Sequence, residues 1–162
     1  RLAAIAKAFD MKVVGVRRDP SAGKGPADSV HGFGALRDIL PQADIVALTC
    51  PLTPETEKMI DAAALAAMKP TSYLINVARG RCVDEDALIA ALRDNRIAGA
   101  GLDCFREEPL PGASPLWDME QVLVTPHAGG ETRRYERNIV ALLTENLDRL
   151  WRGETALRNQ IV

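Results

Sequence analysis

Short apolar runs alternate along the chain with segments of helical periodicity. Five runs have the length and composition of buried strands, and they lie at residues 11–16, 43–49, 72–77, 97–104 and 121–125. Segments around them space apolar side chains as on one face of a helix, and the predicted helices are residues 1–9, 34–40, 61–68, 84–95 and 131–152. This alternation predicts an α/β fold with a parallel sheet.

The connections refine this picture. Residues 19–30, DPSAGKGPADSV, are rich in Gly, Pro, Ser and Asp, so we expect a loop there. A proline-broken loop, with no helical pattern, joins the strands at 97–104 and 121–125. The resulting order, α-β-α-β-α-β-α-β-β-α, is typical of a doubly wound parallel sheet.

The start of the chain departs from a dinucleotide-binding unit. Such a unit opens with a strand and a Gly-x-Gly-x-x-Gly turn, whose backbone N–H groups and helix terminus hold the pyrophosphate. The helix at residues 1–9 has neither before it. We therefore expect a doubly wound domain that is truncated at its N-terminal side. The alternative is a different α/β fold that begins with a helix.

Composition narrows the class of protein. With 162 residues, 47% hydrophobic and 26% charged, the chain can form one globular domain with a core. A net charge of -2 gives no basic surface for nucleic acid, and no segment has the length of a membrane span or the pattern of a signal peptide. Cys50, Cys82 and Cys104 fit neither a zinc site nor a disulfide framework. We expect a cytoplasmic protein with reduced thiols and no metal.

Four segments place small, charged and proline residues directly after predicted strands. They read PLTPET at 51–56, NVARG at 76–80, GLDCFREEPL at 101–110 and TPHAGG at 125–130. Ligands of open α/β sheets bind beyond the carboxyl ends of the strands, where these segments lie. Together they resemble the D-isomer-specific 2-hydroxyacid dehydrogenases, a family that includes glyoxylate, hydroxypyruvate and phosphoglycerate dehydrogenases. The resemblance covers nearly the whole chain. It implies a Rossmann-type domain and hydride transfer between a nicotinamide cofactor and a small 2-keto or D-2-hydroxy acid.

His127 and Glu108 are the predicted proton-transfer pair. Reduction of a keto acid needs a proton for the carbonyl oxygen, and imidazole titrates near working pH. A carboxylate on the other ring nitrogen would favour imidazolium and orient the ring. The resemblance selects Glu108, directly before Pro109, for this role, and leaves Glu107 to solvent. His31, the other histidine, is expected to be a surface loop residue.

Arg79 is the predicted substrate anchor. A 2-keto acid presents a planar carboxylate, and a guanidinium can meet that shape with two parallel hydrogen bonds. Arg79 follows a predicted strand and precedes Gly80, where backbone can approach a ligand closely. Arg81, nearby, is expected to be solvated.

Arg17 and Arg18 carry the prediction of the cofactor. NAD-binding units place Asp or Glu at the end of the second strand to accept a hydrogen bond from the ribose 2′-OH. Here VVGVRRD puts Arg17 at that position, and a guanidinium suits the 2′-phosphate of NADP. NADP is therefore favoured over NAD. Asp19, two residues later, is the alternative, as an NAD-type acid that is out of register.

The remaining cofactor contacts are implied by the resemblance alone. They are Cys50 and Pro51 beside the adenine, Thr56 near a phosphate, Val77 and Ala78 beside the nicotinamide ribose, Asp103 at the nicotinamide carboxamide, and Gly129 after the histidine. For Asp103 a role as a helix or turn cap is also open.

The resemblance further implies an intact protein of about twice this length, with a substrate domain built mostly from earlier sequence. Residues 1–152 would then be the dinucleotide-binding domain, and residues 153–162 would return toward the substrate domain. Members of the family are commonly homodimers. An alternative function is that of a non-catalytic, NAD(P)-sensing interaction protein, like the co-repressors of the same family.

Overall fold

The computed structural model describes residues 1–160. Its α-helices are α1 (Leu2–Ala8), α2 (Leu36–Ile39), α3 (Ala62–Ala67), α4 (Glu85–Arg93) and α5 (Tyr135–Trp151). Its strands are β1 (Val14–Val16), β2 (Ser29–His31), β3 (Ile45–Leu48), β4 (Tyr73–Asn76), β5 (Gly99–Leu102) and β6 (Val122–Val124). Each predicted strand and helix contains one observed element of the same type, and β2 is the one strand within residues 1–160 that was not predicted.

The strands form two separate parallel sheets. β1 pairs with β2, with Val14 opposite Ser29. The other sheet has the order β3-β4-β5-β6, and Tyr73 of β4 lies opposite Ile45 of β3 and Gly99 of β5. Every strand pair within residues 1–160 is parallel, as predicted. The loops after β4, β5 and β6 therefore leave the sheet at one shared edge.

The prediction of a loop over residues 19–30 is wrong at its C-terminal end. Asp19 caps a 3-10 turn at Pro20–Ala22, and β2 begins at Ser29. A three-residue strand with the sequence Ser-Val-His is too short to show alternation of polar and apolar positions. It is a strand because β1 supplies its hydrogen-bonding partner, which the local sequence does not reveal.

The hydrophobic core lies on the four-stranded sheet and on α3 and α4. Its largest fully buried apolar side chains are Leu40, Ile60, Leu65, Leu74, Leu88, Leu92, Ile97 and Leu116. Burial of each contributes about 1.5–3 kcal/mol. In α4, Leu88 and Leu92 are one turn apart and both face this core, while the Asp84 carboxylate accepts a hydrogen bond from the Ala87 N–H and caps the first turn.

The chain divides into two compact units, residues 1–127 and a second from residue 128 onward. Within the second unit α5 is amphipathic, but none of the residues 128–160 is buried. Glu145 of α5 pairs with Arg149 and Arg158, at 3.0 and 2.8 Å, and so ties the segment after the helix to it. That residues 1–152 form one dinucleotide-binding domain stays a prediction. Of the segment 153–162, predicted to return toward a substrate domain, the last two residues lie outside the described part of the chain.

Among the described helices, not one combines the length and the apolar character that crossing a membrane requires.

Candidate functional site

Glu108 and His127 meet at the edge of the sheet where β5 and β6 end. Because these strands are adjacent and parallel, the loops that follow Leu102 and Val124 lie side by side. His127 Nδ1 is 2.8 Å from Glu108 Oε2, and both side chains are a little over one-third exposed. The structure therefore brings these two predicted residues into a hydrogen-bonded pair.

Both carboxylate oxygens of Glu108 are engaged. Oε1 accepts a hydrogen bond from the Phe105 N–H at 2.9 Å, while Oε2 contacts the His127 ring. Partial burial acts to raise the pKa of Glu108. The hydrogen bonds from His127 and Phe105, with the charges of His127 and Arg79, outweigh burial and lower that pKa overall. Glu108 is thus held as a carboxylate in a fixed orientation. Glu107 is exposed, as predicted.

The backbone of His127 has a φ of +55°. Positive φ is uncommon for a residue with a side chain and costs of order 1–3 kcal/mol. Here the His127 N–H donates to the Thr125 carbonyl at 3.0 Å, which closes a tight turn after β6. The turn directs the imidazole toward Glu108. A backbone conformation of higher free energy therefore occurs at the residue whose side chain pairs with Glu108.

Arg79 lies in a turn that Asn76 organises. Asn76 is buried at the end of β4; its Oδ1 accepts from the Ala78 N–H at 3.0 Å, and its Nδ2 donates to the Arg79 carbonyl at 3.1 Å. A Cβ added to Gly80 would lie 1.9 Å from the carbonyl carbon and oxygen of Phe105. The Arg79 turn is therefore pressed against the segment that leads to Glu108, and only glycine fits at that approach.

The Arg79 side chain is exposed, and its Nη1 donates to the Ala78 carbonyl at 2.6 Å. Arg79 follows β4 at the edge of the sheet where β5 and β6 also end, and its charge contributes to lowering the pKa of Glu108. Arg81 differs, because it forms an exposed ion pair with Glu57 at 2.6 Å.

Asp103 is buried directly after β5 and accepts a hydrogen bond from the Thr125 hydroxyl at 2.5 Å. Its N–H donates to the Asn76 carbonyl at 2.9 Å, so it links the ends of β4, β5 and β6. Sequence reasoning assigned no role to Asn76 or Thr125. The available signal was a polar residue at the last position of an apolar strand, within NVARG and TPHAGG.

The three cysteines are free thiols, as predicted. Cys82 and Cys104 are buried, and burial, reinforced by the nearby carboxylates of Glu108 and Asp103, raises the pKa of Cys104 to about 12. Burial also raises the pKa of Cys50. Protonated thiols are poor nucleophiles, so Cys50 and Cys104 are suited to packing.

A cavity of about 550 Å³ lies between the two sheets of the first unit. Its walls include Val14 and Val16 of β1 and residues 45–48 of β3. Five residues predicted to bind the cofactor also line it: Arg17, Arg18, Cys50, Pro51 and Thr56. The Thr56 hydroxyl donates to the Pro51 carbonyl at 2.7 Å and accepts from the Thr53 N–H at 2.8 Å. Thr56 therefore forms part of the cavity wall, while its hydroxyl is hydrogen-bonded within the loop of residues 51–56.

Other predicted contacts lie elsewhere. Val77 is half exposed and Ala78 buried in the turn before Arg79. Gly129 belongs to the second unit. His31 is exposed but ends β2 instead of lying in a loop, and its Nε2 is 3.0 Å from the Ser29 hydroxyl.

The chain is similar to known proteins in both sequence and structure. Residues 1–129 match the family model of the D-isomer specific 2-hydroxyacid dehydrogenase, NAD binding domain. A glyoxylate reductase of Pyrococcus furiosus is 40% identical over 151 residues, which are 92% of this chain and 44% of the relative.

Two solved structures extend the comparison. A D-isomer specific 2-hydroxyacid dehydrogenase of Xanthobacter autotrophicus Py2, in complex with NADPH and MES, is 40% identical with a TM-score of 0.87 over 99% of this chain and 64% of that one. An NADPH-dependent glyoxylate/hydroxypyruvate reductase of Sinorhizobium meliloti, in complex with NADP and sulfate, is 27% identical with a TM-score of 0.88 over 98% of this chain and 50% of that one. These matches confirm the predicted doubly wound, Rossmann-type fold. The chain spans about half the length of such relatives.

Proposed function

Because this chain belongs to the D-isomer-specific 2-hydroxyacid dehydrogenase family, as its NAD-binding domain, we propose that the complete protein is an oxidoreductase that interconverts a small 2-keto acid and the D-2-hydroxy acid. The observation that carries the proposal is the 2.8 Å contact between His127 Nδ1 and Glu108 Oε2 at the carboxyl edge of the sheet. An imidazole held by a carboxylate is suited to deliver a proton at neutral pH.

His127 is the acid in the reducing direction. With Nδ1 on Glu108, the other ring nitrogen, Nε2, donates its proton to the substrate's carbonyl oxygen. A bound nicotinamide would supply the hydride that reduces the carbonyl carbon. The imidazole is left neutral and recovers a proton from solvent, while its contact with Glu108 keeps the ring oriented with Nε2 free for the substrate.

Arg79 binds the substrate carboxylate. Arg79 is exposed, and it follows β4 at the same edge of the sheet as Glu108, which follows β5. Bidentate binding of the carboxylate would fix the orientation of the neighbouring carbonyl relative to His127. The buried Asn76 supports this role, since it holds the Arg79 backbone in place.

NADPH is the favoured cofactor. Arg17 and Arg18 line the cavity directly after β1, and guanidinium groups there fit the charge of a 2′-phosphate. The Xanthobacter relative was solved with NADPH, and the Sinorhizobium relative is NADPH-dependent. These points support NADP, while binding of NAD remains the alternative.

The proposal is tested with His127→Asn in the complete protein, assayed for oxidation of NADPH with glyoxylate and hydroxypyruvate. Asn tolerates positive φ, so the turn is kept while the proton donor is lost. We expect kcat to fall by roughly 10²–10⁴-fold. His31→Asn is the matched control and should retain the wild-type rate.

Full activity in His127→Asn would remove the imidazole from the mechanism. If the complete protein binds NADPH but reduces neither these acids nor longer 2-keto acids, the dehydrogenase proposal is wrong and the non-catalytic, cofactor-sensing alternative is favoured.

A further inference from the structure

Two charged side chains from different loops meet beside the cavity. Arg18 follows β1, Glu55 follows β3, and Arg18 Nη2 is 3.1 Å from Glu55 Oε2. The same carboxylate oxygen accepts a hydrogen bond from the Thr53 hydroxyl at 2.7 Å. Arg18 and Thr53 both line the cavity, so Glu55 is anchored between two of its wall residues.

The Glu55 carboxyl group is ionised at neutral pH, because its pKa is lowered. The Thr53 hydroxyl, which donates to the carboxylate, is the largest cause of a lowered pKa, and the Arg18 guanidinium adds to it. Both members of the ion pair are more than half exposed. Such a pair is weak and can rearrange around a ligand, because solvent screens the attraction between exposed charges.

Asp19, the nearer acid in sequence, is engaged elsewhere. Its Oδ1 accepts hydrogen bonds from the Ser21 N–H at 2.9 Å and from the Ser21 hydroxyl at 2.6 Å. These contacts cap the 3-10 turn at Pro20–Ala22. Asp19 therefore serves the local turn, and the carboxylate that touches an arginine at the end of β1 comes from Glu55.

We propose that Glu55 reduces the preference for NADP over NAD, because it presents a carboxylate beside Arg18 where the ribose 2′ position is read. The inference rests on the proposed function, in which the residues after β1 read the adenosine ribose. The acid that NAD-binding units carry at the end of the second strand is here supplied by the loop after β3.

The two cofactors respond to this carboxylate in opposite ways. A 2′-phosphate must compete with Glu55 for Arg18, and two negative groups beside one guanidinium repel each other. A ribose 2′-OH instead donates a hydrogen bond to the carboxylate, and charge makes that bond stronger than one to a neutral acceptor. Glu55 thus weakens binding of NADP and strengthens binding of NAD, which narrows the preference that Arg17 and Arg18 create.

The test is Glu55→Gln in the complete protein, with the Kd of NADP+ and of NAD+ measured by fluorescence titration at low and at physiological salt. We expect NADP+ to bind roughly threefold to tenfold more tightly and NAD+ roughly threefold more weakly. The gain for NADP+ should be larger at low salt.

Glu57→Gln is the matched control, since Glu57 is two residues away and forms an exposed ion pair with Arg81. It should change neither Kd. A merely structural role of Glu55 would shift both cofactors in the same direction, and that result, or an unchanged ratio, would overturn the inference.

The two proposals fail separately. A protein that binds both dinucleotides but turns over no 2-keto acid contradicts the dehydrogenase function, while the Kd ratio still decides the role of Glu55. A complete protein that binds neither dinucleotide contradicts both.

Discussion

Two regions of the first compact unit are held together differently. They are the N-terminal region, residues 1–31, and the sheet region, residues 45–127. In the N-terminal region Ala27 is the single buried residue, whereas most of the core lies in the sheet region. The N-terminal region relies on polar contacts, among them Asp28 with the Val13 N–H at 2.7 Å and with Lys7 at 3.0 Å.

The two regions also carry different parts of the proposed function, namely catalysis on the sheet region and cofactor recognition on the N-terminal region. Arg79, Glu108 and His127 all belong to the sheet region, whose strands are packed on the buried core. Arg17 and Arg18 belong to the N-terminal region, where exposed ion pairs such as Arg18–Glu55 can rearrange. In the proposed function, chemistry that needs a fixed geometry would rest on the rigid, closely packed region, and recognition of a charged group on the adaptable one.

The largest effect is expected for Gly80→Ala. The new Cβ would lie 1.9 Å from the Phe105 backbone, which cannot move aside as a flexible side chain can. We expect a loss of about 3 kcal/mol in the free energy of unfolding, measured by urea denaturation of the complete protein.

Gly15→Ala is the counterpart in the N-terminal region. Its Cβ would approach the Val30 side chain at 3.2 Å, which a small movement relieves, and we expect a cost below about 1 kcal/mol. Equal losses for the two glycine variants would contradict the contrast between rigid and adaptable regions.

An intermediate effect is expected for Glu108→Gln, and it should depend on pH. The pKa of Glu108 is lowered in the folded protein, so its carboxylate contributes stability above its unfolded pKa of about 4.3. That contribution is lost as pH falls through the folded-state pKa. The difference in free energy of unfolding between wild type and variant should be below about 1 kcal/mol at neutral pH, because solvent screens the partly exposed pair, and vanish in acid.

Urea denaturation over a pH series measures this difference. Glu107→Gln changes the adjacent, exposed carboxylate and should leave the profile of the wild type. A gap between Glu108→Gln and wild type that widens toward low pH would show that the carboxylate is not stabilised by His127 and Phe105.

The smallest effect is expected for Asp28→Asn. Hydrogen bonds from the Val13 N–H and then from Lys7 lower the pKa of Asp28, and the variant loses the charge that both contacts use. Because the site is exposed, global stability should barely change. Hydrogen exchange should quicken at the amides of β1 but not at those of β4. Faster exchange in both strands would mean that the two regions unfold as one.

The sequence was sufficient to predict all the α-helices and five of the six strands within residues 1–160, and the candidate residues for proton transfer and for binding the substrate carboxylate. Apolar runs located β1 and β3–β6, because burial demands apolar residues wherever it occurs. His127, Glu108 and Arg79 stood out because they belong to four segments that occur in the order of one family, each directly after a predicted strand. The short strand β2 escaped, since its pairing with β1, not its own composition, makes it a strand.

Local order along the chain therefore determined which segments are helix or strand and which side chains carry reactive groups. Only the tertiary structure decided which of them touch: Thr125 with Asp103, the Asp103 N–H with the Asn76 carbonyl, and Arg18 with Glu55, 37 positions away. The physical reason is that such contacts depend on which strands become neighbours and on how closely their loops pack. Those are properties of the assembled sheets and leave no periodic trace in any one segment.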